Sequence, residues 1–94
     1  METICKLRVD LGVTTLYLPD DANILCVKLQ EGKPQMWVLM DTEAPKAKRY
    51  FITYTTGTLI GHHKQLTYID TLVMGGDKVS MHLFEIIPSD KDGD

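Results

Sequence analysis

Several features that mark particular classes of protein are scarce or missing in this sequence. The 94-residue chain has two cysteines and one tryptophan, and no apolar run approaches the roughly 20 residues that cross a bilayer. Cys5 and Cys26 are expected to be free thiols, because structural disulfides are rare in a reducing compartment. Charged residues at Glu2, Lys6 and Arg8 occupy the place where a signal peptide has its apolar segment. We therefore expect a protein that stays in the cytoplasm.

Motifs for catalysis, phosphate binding and metal binding are also missing. No serine or cysteine lies in a glycine elbow, and the glycine-rich phosphate-loop and dinucleotide patterns do not occur. The only histidines are His62, His63 and His82, and neither CxxC nor HExxH spacing accompanies them. Adjacent histidines in a strand point to opposite faces, so they do not readily share one ion. The sequence therefore predicts no enzyme, no cofactor and no metal site.

The net charge of -3 is too small to suggest a mimic of DNA and has the wrong sign for a general nucleic-acid binder. Nucleic acid is therefore not an expected partner. The distribution of charge is more informative than its sum. Every acidic residue lies at or before Glu43 or at or after Asp70, so the middle of the chain is a basic segment in an acidic protein.

The apolar pattern indicates β structure. Alternation of apolar and polar residues predicts short strands at 4–9, 13–18, 24–29, 35–40, 50–55, 68–73 and 79–87. Residues 58–67 fit either a loop or a single helical turn. Since no segment has helical spacing, we expect an all-β fold of about seven strands, an antiparallel sandwich, a curled sheet or a small barrel. Residues 1–87 form a single β domain in this prediction, and residues 88–94 form an acidic flexible tail.

Both faces of several predicted strands carry apolar groups. In the last strand His82, Phe84 and Ile86 point away from the apolar residues at odd positions, and the strand at 50–55 has the same property. A small chain has little material to cover two faces, so either its own second sheet or another copy must do so. We expect a homo-oligomer, most simply a dimer, with His82, Phe84 and Ile86 as its candidate interface.

The basic segment is the best candidate for a binding site. Its lysines and Arg49, near the backbone amides of Thr56 and Gly57, would offer an anion-binding surface, and Trp37 or Tyr54 could stack on a base. The ordinary alternative is a solvated loop of lysines. For Trp37 the ordinary alternative is a core position, which the average burial of tryptophan favours. The candidate residues are Trp37, Lys46, Lys48, Arg49, Tyr54, Thr56, Gly57, His62, His63 and Lys64.

A series of short signatures follows one order along the chain. They consist of Leu18, Pro19, Ala22, Ile24 and Leu25; Trp37, Asp41, Glu43, Ala44 and Pro45; Thr56, Gly57 and Ile60; Tyr68, Ile69 and Thr71; and His82, Phe84 and Glu85. In their order and spacing they resemble a family of small uncharacterised proteins encoded mainly by bacteriophages and prophages. The pair His62 and His63 departs from that family's pattern.

The resemblance implies a phage accessory protein located in the cytoplasm of the host cell, and it provides no catalytic residue to transfer. By analogy with other small phage proteins, our first hypothesis is a non-enzymatic protein that binds and inhibits a host protein, for example as an anti-defence factor of the anti-CRISPR kind. The second is an oligomeric module that sequesters a small anionic ligand such as a nucleotide signal. The third is a minor structural or assembly component of the virion.

Overall fold

The computed structural model describes residues 1–61, 65–76 and 78–88, and all regular structure in them is β. The expected all-β class is therefore confirmed. Strands β2 and β7 have the predicted limits, whereas β5 begins at Ala47 rather than residue 50 and β6 at Gln65 rather than residue 68. The strands are β1 (Glu2–Arg8), β2 (Val13–Leu18), β3 (Asn23–Gln30), β4 (Lys33–Asp41), β5 (Ala47–Thr55), β6 (Gln65–Met74) and β7 (Val79–Ile87).

The strands form two antiparallel sheets that do not close into a barrel. Sheet A has three strands in the order β1-β4-β3, and sheet B has four in the order β2-β5-β7-β6. Among the strands of the described residues, only β3–β4 and β6–β7 are hairpins between consecutive strands, and the other pairs join strands that are distant in the sequence. The arrangement fits the expected sandwich or curled sheet.

A single apolar core lies between the two sheets. Met36 and Val38 of β4 enter it from sheet A, while Phe51 of β5 and Leu83 of β7 enter it from sheet B, and all four are fully buried. These residues occupy alternate positions of their strands, as the period of two requires. Burying each of these side chains contributes about 1.5–3 kcal/mol.

Two tight turns need left-handed backbone. Glu31 and Gly32, between β3 and β4, have φ of 54° and 77°, which is the pattern of a two-residue type I′ hairpin turn. Gly75 and Gly76 have φ of 61° and 66° in the turn between β6 and β7, a conformation that glycine adopts at no steric cost.

Each sheet has a β-bulge where the edge strands β3 and β6 approach each other. The pairing of β3 with β4 shifts at Leu25, and the pairing of β6 with β7 shifts at Ile69. Next to these bulges the backbone N–H of Val27 donates a hydrogen bond of 3.3 Å to Oδ2 of Asp70. The contact joins the two sheets along one side of the core.

Candidate functional site

The outer side of sheet B carries a cluster of aromatic and aliphatic side chains that we call the aromatic face. Phe84 lies at its centre, and its ring makes edge-type contacts with Tyr54 and Tyr68 at centroid distances of 6.1 and 5.7 Å. Tyr54 and Tyr68 belong to the strands on either side of β7. The aromatic face consists of Val13, Tyr17, Tyr50, Ile52, Tyr54, Leu66, Tyr68, Val73, Phe84 and Ile86.

The aromatic face is open to solvent in the described part of the chain. Sheet A packs only against the core side of sheet B, so the exposed fractions of Tyr17 and Tyr68 remain 61% and 57%. The prediction that Phe84 and Ile86 point away from the core is therefore confirmed, because Met81 and Leu83, which point to the opposite side of β7, are buried. Whether a second copy covers this face stays a prediction.

His82 ties the aromatic face to the neighbouring strands through hydroxyl groups. Its Nδ1 lies 2.9 Å from Oγ1 of Thr71 and its Nε2 lies 2.8 Å from Oγ1 of Thr56. The hydroxyl of Tyr68 in turn lies 2.7 Å from Oγ1 of Thr71. Because each hydroxyl can donate or accept, both ring nitrogens are satisfied. His82 therefore holds Tyr68 in place.

Arg49 lies on the core side of sheet B and takes part in a structural ion pair. Its Nε and Nη2 donate hydrogen bonds of 2.7 Å each to the carboxylate of Glu85, a bidentate arrangement. Its Nη1 donates to the carbonyl oxygens of Pro19 and Ala22 at 3.1 and 3.0 Å. The hydrogen bond to Glu85 raises the pKa of the guanidinium above its ordinary value. Arg49 is therefore not displayed for an external anion, contrary to the sequence expectation.

The other predicted anion-binding groups do not meet either. Lys46 and Lys48 lie at the start of β5, whereas Thr56 and Gly57 follow its end, about 30 Å away for a nine-residue strand. The Nζ of Lys48 lies 6.0 Å from the ring centroid of Tyr17, at the margin of the aromatic face. The remaining candidates, His62, His63 and Lys64, lie outside the described residues. The expected proximity of the lysines to these amides is wrong because the full length of β5 separates them.

Trp37 lies on the outer side of sheet A and is half-buried, so the expectation of a core position is wrong. Its neighbours Met36 and Val38 both point into the core, and alternation turns Trp37 outwards. In the sheet Trp37 pairs with Lys6 on one side and Cys26 on the other. The bulge at Leu25 adds that side chain to the same outer surface.

These residues surround an open hollow of about 370 Å³, the Trp37 depression, lined by Ile4, Leu25, Cys26, Lys28 and Trp37. Its walls are apolar apart from Lys28. Lys6 stands beside it, and its Nζ donates a hydrogen bond of 2.6 Å to the neutral Oε1 of Gln30. Among the described residues no carboxylate lies within ion-pair distance of Lys6 or Lys28. The depression therefore combines an indole surface with positive charge. The average burial of tryptophan, which favours a core position, could not predict this site.

The two cysteines are free thiols, as expected, and lie on different sides of sheet A. Cys5 pairs with the inward-pointing Val38 and Cys26 with the outward-pointing Trp37. The intervening β4 keeps them too far apart for a disulfide, which needs Cα atoms within about 7 Å. Over the described ranges, no three acidic, cysteine or histidine side chains gather to hold a metal ion. Nor does that part of the chain contain a helix able to cross a membrane.

Comparison with known proteins identifies a family but no functional relative. A family model described as a domain of unknown function (DUF7352) matches residues 1–93. No curated protein and no solved structure matches the chain. The expected similarity to an uncharacterised family is therefore confirmed, and its origin in bacteriophages stays a prediction.

Proposed function

The chain belongs to the DUF7352 family, a domain of unknown function, and we propose that it acts by binding another protein through the aromatic face of sheet B. The observation that supports this proposal is the outward-facing aromatic cluster of Tyr54, Tyr68 and Phe84, in which Tyr68 is exposed and the other two rings are half-buried. Contiguous apolar patches on a protein surface often mark interaction sites, whereas single scattered apolar residues do not. Tyrosine is also enriched among the residues that contribute most to protein–protein binding.

The composition of the face supports a protein partner. Its centre, with Ile52, Tyr54 and Phe84, holds no charged residue, and Lys48 lies at its margin beside Tyr17. An apolar centre with charges at the rim is the common anatomy of protein interfaces. The T-shaped ring contacts and the hydrogen bonds around His82 hold the aromatic side chains before a partner arrives. A surface ordered in this way loses little conformational entropy on binding.

The resemblance to phage accessory proteins leads us to propose a host protein as the target and inhibition of that protein as the effect. In this proposal the chain provides a contact surface and carries out no reaction. Blocking a target by occupying its surface needs affinity and shape alone. The absence of a catalytic motif from the sequence motivates this part of the proposal.

Affinity capture with a matched pair of variants tests the proposal. Tyr68→Asp places a charge on the aromatic face, whereas Leu11→Asp places one on a similarly exposed residue between β1 and β2. We expect the wild-type protein and Leu11→Asp to retain the same host protein and Tyr68→Asp to lose it. Retention by all three proteins would rule out this face, and recovery of background proteins alone would rule out the function.

A second candidate function is the binding of a small organic anion in the Trp37 depression. The specific observation in its favour is the position of Lys28 and Lys6 beside the apolar surface formed by Ile4 and Trp37. A ligand with a flat apolar body and an acidic group would stack on the indole and approach the ammonium groups. This second proposal retains the anionic ligand expected from the sequence but moves it from the basic segment to the Trp37 depression.

Anilinonaphthalene sulfonate is a suitable probe for this site, because it has a flat apolar body and one negative charge. Trp37 is the only tryptophan, so quenching of its fluorescence reports binding directly. We expect Lys28→Glu to weaken binding about tenfold, and Lys46→Glu, which changes the net charge equally, to leave it unchanged. Equal weakening by both variants, or no quenching in the wild-type protein, would contradict the site.

A further inference from the structure

We propose that the free edge of β1 pairs with β1 of a second copy of this chain. The two strands would run antiparallel about a two-fold axis at Cys5. This pairing would join the two copies of sheet A into one continuous six-stranded sheet. The inference is independent of the proposed function, because the aromatic face lies on sheet B.

One edge of β1 is available for pairing. Among the described strands β1 pairs only with β4, and it contains neither a proline nor a bulge. Natural proteins commonly protect edge strands by such devices or by charged side chains, and β1 carries charges of both signs at Glu2, Lys6 and Arg8. The residues at the two ends of β1 show which of its backbone groups already bond to β4. Thr42 N–H donates to the carbonyl of Met1 at 2.8 Å, and Val9 N–H donates to the carbonyl of Pro34 at 3.2 Å.

Those two bonds determine the hydrogen-bonding phase of the whole strand. Since they involve Met1 and Val9, the backbone groups of odd-numbered residues of β1 point towards β4. The N–H and C=O groups of the even-numbered residues therefore point to the open edge. A second strand would bond to Glu2, Ile4, Lys6 and Arg8.

The sequence of β1 is complementary to itself in one register. Centring the pair on Cys5 places Glu2 opposite Arg8 and Ile4 opposite Lys6, and the symmetry repeats both pairs. Centring on Lys6 would oppose two lysines, and centring on Ile4 would leave Arg8 beyond the overlap. In the present structure Arg8 contacts Asp10 at 3.4 Å, but both side chains are largely exposed, so this ion pair is weak and replaceable.

The other edge strands are less suitable. The edges of β3 and β6 approach each other and share the hydrogen bond from Val27 to Asp70. The open edge of β2 presents Val13, Thr15 and Tyr17, because Gly12 already bonds to β5. It offers no charge that would select a register.

The pairing would also complete the Trp37 depression. Ile4 forms one of its walls, and in the proposed register Lys6 of the second copy stands directly opposite Ile4. Each depression would then gain a cation from the other subunit. The dimer would place both depressions on one side of the joined sheet and would present two aromatic faces on its two copies of sheet B.

Cysteine crosslinking tests the register. Cys5 would form a non-hydrogen-bonded pair with Cys5 of the other copy, with Cα atoms about 4.5 Å apart, which is within the range of a disulfide. Diamide would oxidise the two thiols to one disulfide and take up their two electrons and two protons. We expect a covalent dimer of the wild-type protein and of Cys26→Ser, and none of Cys5→Ser. A dimer that forms through Cys26 instead would overturn the proposal.

Charge reversal tests the same register without chemical modification. In sedimentation equilibrium we expect Arg8→Glu to raise the dimer dissociation constant at least about tenfold, because two attractive cross-strand pairs become repulsive. Adding Glu2→Arg to the same chain should restore the dimer, and Tyr68→Asp should leave it intact. A wild-type protein that stays monomeric, a failed rescue, or dissociation caused by Tyr68→Asp would each overturn the proposal.

Discussion

At the scale of single residues, Arg49 has the most interactions of any charged side chain in the described structure. Four hydrogen bonds connect its guanidinium to Glu85 and to the carbonyl oxygens of Pro19 and Ala22. The exposed fractions of the two charged side chains are only 14% and 13%. Removing Arg49 leaves the Glu85 carboxylate without its partner in a poorly solvated place and takes one hydrogen bond from each of the two carbonyl groups.

We expect Arg49→Met to lower the free energy of unfolding by roughly 3 kcal/mol. The double variant Arg49→Met, Glu85→Leu should cost less than the sum of the single changes, since it leaves no unpaired charge. Urea denaturation of the four proteins in this cycle measures both effects. Additive losses would show that the pair contributes nothing beyond the separate side chains. Arg49→Glu should unfold the protein, because it would place two carboxylates against each other at this position.

Arg49 and Trp37 show which side-chain positions the sequence could predict and which it could not. A basic residue in a segment rich in lysine reads as a surface group, and its carboxylate partner Glu85 is 36 positions away in the sequence. For Trp37 the necessary signal was present, because Met36 and Val38 on either side are apolar and alternation turns the residue between them outwards. The average burial of tryptophan pointed the other way.

At the scale of elements, the turn between β3 and β4 has an unfavourable residue. Glu31 adopts φ of 54°, and left-handed backbone costs a residue with a Cβ atom about 1–2 kcal/mol. Asparagine tolerates this conformation and is common in two-residue turns that precede glycine. Glu31 is exposed, and its replacement alters no core contact.

Glu31→Asn is therefore expected to raise the free energy of unfolding by about 1 kcal/mol. Gly32→Ala is a control in the same turn with the opposite expected effect. Gly32 has φ of 77°, and no atom lies within 4 Å of the place where a Cβ would stand. We expect Gly32→Ala to lower the free energy of unfolding by about 1 kcal/mol, and the cause would be the backbone conformation alone. Thermal unfolding of both variants checks the pair. A neutral or destabilising Glu31→Asn would contradict the assigned turn.

Strand positions were predictable from the sequence where apolar alternation is strong, as in β2 and β7. The first residues of β5 were missed because Ala47, Lys48 and Arg49 have no such alternation, and they join the sheet through pairing with β2. The bulges at Leu25 and Ile69 could not be predicted, because a bulge is defined by the partner strand as much as by its own residues.

At the scale of the whole molecule, one core serves two sheets whose outer sides both carry apolar groups. The sequence predicted the excess of apolar faces in the strands at 50–55 and 79–87. It could not predict which strands are neighbours, because β1 with β4, β2 with β5 and β5 with β7 are pairs between distant segments. The aromatic face depends on those pairs, since its rings come from all four strands of sheet B.

The central claim is that the aromatic face is the surface that contacts a partner protein. Side-chain footprinting of the free protein and of the complex recovered by affinity capture tests it most directly. We predict that labelling of Tyr17, Tyr54 and Tyr68 falls in the complex while labelling of Trp37, on the opposite outer side, stays the same. Protection of Trp37 with unchanged labelling of the three tyrosines would contradict the account and move the binding surface to sheet A.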